Sequence, residues 1–372
     1  MVTAAPAPPL PAAAVIRARR PRPSVRHLGP NWYATVMGTA IVATAGAGLP
    51  VNIPGLRGVC RAVWVLSALL LAAVLAARAA HWARHRDRAR ADLLDPAVAP
   101  FHGCLPMALS AVGAATLSVG AEVIGVRAAV AVDAVLWTAG TLTALLMAAG
   151  IPALMVVRHR IGPGDASPVW LLPVVAPMVS AATGPALVPH LPPGQGREAL
   201  LLGCVALAGA SLLGTFLMLP LIFERLVRHG PLPAALTPAL FLVLGPLGQS
   251  TTAAGGMADA VAYTAGVPEA AARFASVVYG VPVMGFALLW LASAGALVVR
   301  AARRGMPFAM TWWGFTFPVG TCVTGAAALS RHTGLHAFGW LAVVLYGALV
   351  AAWALVAART ALGLARGKML TP

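Results

Sequence analysis

Pro106-Met107-Ala108-Leu109-Ser110 lies inside an apolar run, and its leading pair recurs in kind along the chain. The equivalents are Val36-Met37, Pro177-Met178, Pro246-Leu247 and Pro318-Val319. In chain order the five pairs are separated by 70, 71, 69 and 72 residues. So steady a spacing marks one structural unit repeated five times. Each unit has room for two helices of about 20 residues with their loops, the length that about 30 Å of hydrocarbon demands of a span. A proline inside such a run costs a helix hydrogen bond unless neighbours compensate. Five interrupted helices at one period imply a structure built around a central axis.

Composition agrees. Of the 372 residues, 60% are hydrophobic and 10% charged, with a mean hydropathy of +0.85. A soluble domain has about 45–50% apolar and about 25% charged residues, so a water-soluble fold could not cover its surface from this sequence. Cys60, Cys104, Cys204 and Cys322 are scattered and form no CxxC pair, which gives no zinc site or disulfide framework. The periodicity predicts an all-α integral membrane protein with ten spans: 31–50, 60–80, 101–121, 129–156, 168–188, 200–223, 235–257, 274–298, 308–329 and 337–361. Residues 1–29, rich in Ala, Pro and Arg, read as a disordered tail, 30–362 as the transmembrane domain and 363–372 as a short basic tail.

The net charge is +16, and its placement is asymmetric. With these spans, twenty Lys and Arg fall on one side, from Arg17 through Arg84, Arg160, Arg228 and Arg303 to Lys368. Only six fall on the other: Arg57, Arg61, Arg127, Arg197, Arg273 and Arg331. That is the positive-inside pattern of a multi-pass protein in the cytoplasmic membrane with both termini in the cytoplasm. It explains the basic charge without a nucleic-acid partner.

Odd and even spans differ. The odd spans contain no Asp, Glu, Lys or Arg but carry most of the central prolines and many hydroxyls: Thr35, Thr39 and Thr44, then Ser110, Thr116 and Ser118, Ser180 and Thr183, Ser250, Thr251 and Thr252, and Thr316, Thr321 and Thr324. The second and tenth are nearly pure Ala, Val and Leu. Irregular, hydroxyl-bearing backbone survives at membrane depth only inside protein or beside a water-filled cavity. The odd spans therefore form an inner ring and the even spans an outer, lipid-facing one. Small residues and hydroxyls also serve close helix packing, which is the competing explanation.

The stretch Gly29-Pro30-Asn31-Trp32-Tyr33-Ala34-Thr35-Val36-Met37-Gly38-Thr39 resembles the opening of the tellurite-resistance/dicarboxylate transporter (TDT) family. Gly245-Pro246-Leu247-Gly248-Gln249-Ser250 and Trp312-Trp313-Gly314-Phe315-Thr316-Phe317-Pro318 extend the resemblance, which covers about residues 29 to 362. The family includes tellurite-resistance proteins, fungal malate and sulfite transporters and slow-type anion channels of plants. The resemblance implies five helical hairpins about a quasi-fivefold pore lined by odd helices, and a homotrimer with one pore per subunit. It also implies small inorganic or organic anions as cargo: sulfite, C4-dicarboxylates, tellurite, chloride or nitrate.

The family pore is closed by a phenylalanine on the ninth helix beside its proline. The matching residue is Phe317, with Phe315 as second choice. A ring in a narrow apolar pore blocks ions sterically and by dewetting; plain packing is the alternative role. The repeat and the resemblance together mark Thr35, Met37, Gly38, Thr39, Pro106, Met107, Pro177, Met178, Pro246, Gln249, Ser250 and Pro318 as pore-lining or kink positions. Asp133 is the one acid inside a span, open to two readings. It either couples transport to protons or reaches the interface to pair with Arg127 or Arg273.

Three function classes follow: an anion conduit, passive or proton-coupled; an intramembrane enzyme; and a non-transporting receptor or scaffold. The odd spans lack a His-Glu-x-x-His motif, paired acids and a Gly-x-Ser-x-Gly elbow, which argues against an enzyme. A scaffold would not need a proline at one depth in four inner helices. No cofactor or metal is expected. Reporter fusions after residues 190 and 230 should report opposite sides of the membrane; the same side at both would break the ten-span reading.

Overall fold

The computed structural model describes residues 24–367 and Met369, so the expected tail up to residue 23 and the last residues lie outside the described part. In chain order its α-helices are α1 (Tyr33–Ala47), α2 (Leu56–Arg84), α3 (Arg86–Leu94), α4 (Cys104–Ala115), α5 (Ala121–Ile124) and α6 (Val126–Val157). They continue with α7 (Leu171–Thr183), α8 (Gln195–His229), α9 (Leu244–Ala260), α10 (Glu269–Arg303), α11 (Phe317–Thr333) and α12 (His336–Ala365).

Among the described residues, eight helical segments are long and apolar enough to cross a membrane: 56–84, 99–124, 126–157, 168–190, 195–229, 234–263, 269–303 and 336–365. Eight is fewer than the ten spans expected. The first and ninth expected spans hold α1 and α11, of only 15 and 17 residues. Each is shortened at its start by a 3₁₀ segment, and α11 also carries Arg331 and His332 in its last turn. The long helices, by contrast, overrun the apolar windows; α8 and α10 each have 35 residues and end in Arg and His side chains that suit a membrane surface.

Burial separates two classes. In α2, α6, α8, α10 and α12, 17–33% of the most apolar stretch is buried, against 61–83% in the segments 99–124, 168–190 and 234–263. The buried helices contact one another in a closed circuit: α1 with α4, α4 with α7, α7 with α9, α9 with α11, and α11 with α1. Each also packs on the long helix that follows it: α1 on α2, α4 on α6, α7 on α8, α9 on α10 and α11 on α12.

The repeated pairs lie close to where helix type changes. 3₁₀ segments at Pro30–Trp32, Ala99–Gly103, Pro168–Trp170, Ala234–Val243 and Met310–Phe315 run into α1, α4, α7, α9 and α11. Pro106, Pro246 and Pro318 fall in the first turn of their α-helices, where backbone N–H groups have no intrahelical acceptor to lose. Only Pro177 lies deeper in its helix. The interruption expected as a mid-helix kink is therefore, in three of four cases, a helix start that tolerates proline.

Polar ties fasten the outer helices to the inner ones. Indole N–H groups donate from Trp64 to Thr116 Oγ1 (2.9 Å), Trp137 to the Ser180 carbonyl (2.9 Å), Trp290 to the Leu240 carbonyl (2.9 Å) and Trp353 to Thr39 Oγ1 (3.1 Å). Ser211 Oγ on α8 donates to the Val174 carbonyl at 2.8 Å. A bond of this kind contributes about 1 kcal/mol net. Glycine sets the inner spacing. A Cβ on Gly248 would lie 2.5 Å from the Cys322 nitrogen and 2.6 Å from the Thr321 carbonyl carbon, so α9 and α11 touch backbone to backbone. Gly245, one turn earlier, has nothing within 4 Å of such a Cβ. Gly248→Ala should therefore destabilise the protein by about 1–3 kcal/mol, with Gly245→Ala neutral, both read as thermal unfolding in detergent; equal melting temperatures would contradict this packing.

Candidate functional site

A cavity of about 400 Å³ opens between α1, α4, α7, α9 and α11. Its wall takes Ile41 and Thr44 from α1, Ala111 and Ala114 from α4, Val179 and Thr183 from α7, Gln249 and Thr252 from α9, and Thr324 from α11. Leu117 and Ser118 join it from the π-helical stretch Thr116–Gly120, a wide, under-wound turn of the kind often found at functional sites. On α4 and α7 these residues lie toward the carboxy-terminal end, whereas on α9 and α11 they lie in the first half and middle of the helix. The exposed His190, which follows α7 in the 3₁₀ segment Gly184–His190, stands at the mouth.

Phe317 is the floor. It is the cavity residue nearest the start of any of the five helices, on the first residue of α11, and it is 3% exposed. The wall contains no Asp, Glu, Lys or Arg, and His190 is its one titratable side chain.

Of the positions marked from the sequence, the structure brings only Phe317 and Gln249 to this cavity. Phe315 lies elsewhere: its ring meets Phe241 edge-on at 4.9 Å and Trp312 at 5.9 Å, in an aromatic cluster outside the cavity. Thr35 and Thr39 donate to the carbonyls of Trp32 (2.8 Å) and Thr35 (2.7 Å). Gly38 faces Trp313 and Thr316 across the α1–α11 contact. Met37, Met107 and Met178 are buried, and Ser250 bonds the Leu247 carbonyl at 3.1 Å. Pro106, Pro177, Pro246 and Pro318 are buried without lining the opening.

The residues that do line it come one or two turns later. Thr44 and Ala114 each follow a repeated methionine, Met37 and Met107, by seven residues, which on an α-helix is the same face two turns on. The period of the repeat combined with that helical step is the signal that finds them.

Asp133 is fully buried two turns into α6, against Gly113 of α4, where any side chain would collide with its carboxylate. Among the described residues it forms no ion pair with Arg127 or Arg273, and both its oxygens lack a hydrogen-bond partner. The interfacial pairing read from the sequence is not formed, because this face of α6 packs inward on α4. Nor does Asp133 line the cavity.

At the opposite, basic end, residues 25–28 are clasped to α2. Arg78 donates to the Leu28 carbonyl at 2.6 Å and His81 Nδ1 lies 2.8 Å from the Val25 carbonyl. Asp92 of α3 gathers Arg88 at 3.2 Å, with Arg78 and His81 just beyond. Burial pushes its carboxyl above the usual range while those three neighbours pull it back. Val25, Arg26 and Leu28, in the stretch read from the sequence as the end of a loose tail, thus have partners on α2 and α3.

Residues 27–361 match the family described as SLAC1, voltage-dependent anion channel. The chain belongs to that family. It is a multi-pass membrane protein, and the match spans all five inner helices. An uncharacterized transporter of Methanocaldococcus jannaschii is 25% identical over 337 residues, covering 90% of this chain and 93% of its own. The sulfite efflux pump SSU1 of Arthroderma otae is 25% identical over 344 residues, covering 91% of each chain. The pump of the same name from Trichophyton rubrum is 24% identical over the same length.

Proposed function

We propose that this protein conducts small anions, with sulfite as the first candidate, through a conduit enclosed by α1, α4, α7, α9 and α11 and closed by Phe317. The observation that carries the reading is the cavity itself: a wall from five helices, no fixed charge, and one aromatic ring as its floor. The closed circuit of inner contacts, each inner helix backed by the long helix after it, supports five hairpins and ten crossings about a quasi-fivefold axis. On this reading α1 and α11 cross with the help of the 3₁₀ segments that precede them.

The uneven distribution of Arg and Lys supports a basic end in the cytoplasm, with both termini there and the cavity opening outward. A basic rim raises the local anion concentration without placing a charge in the path, where an ion would be held too tightly to leave. One chain supplies the whole cavity wall, which fits a homotrimer in which every subunit carries its own conduit. Sulfite is favoured because sulfite efflux pumps match this chain over nine-tenths of its length. Asp133 has no place in the wall, so a conduit that needs no proton coupling through it is the simpler mechanism.

Purified protein in liposomes, given outward gradients of sulfite, nitrate, chloride and malate, tests the reading. Phe317→Ala removes the floor without adding charge. Flux should rise on the order of tenfold or more, which corresponds to a barrier lower by about 1.4 kcal/mol, and anions should still be preferred over cations. Phe315→Ala, outside the cavity, should leave flux near its starting level. Were Phe317 only packing, its truncation would cost about 3–5 kcal/mol of stability with no gain in flux. Unchanged flux through folded Phe317→Ala protein would remove the gate.

A further inference from the structure

The hydroxyls in the cavity wall have already committed their protons. Thr44 donates to the Ala40 carbonyl at 3.3 Å, Ser118 to Ala115 at 3.4 Å and Thr183 to Val179 at 2.9 Å. Thr252 and Thr324 lie 2.7 Å apart and also reach the Gly248 and Thr321 carbonyls at 3.0 Å. Each hydroxyl has a single proton, so each presents lone pairs to the opening. A wall of lone pairs repels an anion.

Gln249 is the exception. The residue is 4% exposed and lines the same cavity as Phe317. Its Oε1 is sealed from open space and has no hydrogen-bond partner among the described residues. Its Nε2 forms no hydrogen bond among the described residues and, unlike Oε1, is not a sealed atom, which leaves its two N–H groups free to face the cavity that the residue lines. With His190 out at the mouth, Gln249 supplies the only uncommitted side-chain N–H donors deep in the wall among the described residues.

We infer that Gln249 is the anion-recognition residue of this conduit, its carboxamide N–H groups replacing part of the water that a small oxyanion sheds just before the Phe317 floor. This assignment rests on the conduit proposed above. A neutral donor suits a passing ion: it offers a hydrogen bond to a negative charge without the hold of a fixed cation. The neighbouring Gly248 lets α9 sit against α11, which brings Gln249 and Phe317 into the same cavity.

A donor matters most to an anion that loses the most on dehydration. In the Phe317→Ala protein in liposomes, Gln249→Leu should lower sulfite flux by about tenfold or more, the factor for one hydrogen bond to a charged partner. Nitrate, more weakly hydrated, should fall less, so the sulfite-to-nitrate ratio drops. Gln249→Asn, which keeps the donor on a shorter stem, should restore part of the ratio. Gln249→Met serves as a second donor-free variant should the leucine protein not fold. An equal fall for both anions, with no recovery in Gln249→Asn, would assign Gln249 a packing role and overturn the inference. Unchanged or raised sulfite flux would overturn it too, since it would mean that the amide offers the ion nothing or turns its oxygen inward. Phe317→Ala protein that passes no anion at all would instead fell the conduit, and this assignment with it.

Discussion

Hydrocarbon contains no water to satisfy a stray backbone N–H or C=O, and the architecture follows from that constraint. The inner helices break it locally: all five segments that include the repeated pairs carry 3₁₀ turns of three to ten residues, and one adds a π-helical stretch. Such backbone is tolerable only inside protein. Five unbroken helices of 29 to 35 residues provide the enclosure, and their indoles and hydroxyls bond carbonyls and hydroxyls of the inner segments. Regular helices outside permit irregular helices inside.

The irregularity in turn shapes the cavity. Small residues bring α9 and α11 together at Gly248, and α1 and α11 at Gly38 and Gly320, so the ring is solid at the level of the repeated pairs. Beyond that level the helices diverge around Thr44, Thr183 and Thr324, and the opening begins at Phe317. Fixed charge is kept out of the wall and gathered at the basic end, where Asp92 holds Arg88 close and lies near Arg78. An ion in such a passage would meet a field at the end and hydrogen-bonding groups in the middle.

Much of this is legible in the sequence, for definite reasons. The 70-residue period reports the unit, and the absence of Asp, Glu, Lys and Arg from odd spans reports which helix of each unit is enclosed. Phe317 could be singled out because it adjoins a repeated proline and matches the phenylalanine that the family resemblance puts on the ninth helix. What stayed hidden is conformational. Proline reads the same at a helix start as at a kink, so Pro106, Pro246 and Pro318 did not reveal the 3₁₀ segments ahead of them. Hydropathy does not say which way Asp133 faces, and it turned inward to Gly113 rather than out to an arginine. Nor does a threonine in a sequence disclose that its proton is bound to its own helix, so the sequence does not set Gln249 apart from the hydroxyls around it.

The central claim is that ions cross within one chain, through the cavity above Phe317. Thr324 follows Phe317 by seven residues on α11 and lines that cavity, while Cys60, Cys104, Cys204 and Cys322 are all buried. Flux should therefore be measured through Phe317→Ala, Thr324→Cys protein in liposomes before and after a bulky, membrane-impermeant thiol reagent is added. The account predicts that labelling Cys at this one position blocks anion flux, and that reduction of the adduct restores it. Complete labelling with flux undiminished would place the ion path elsewhere and contradict the account.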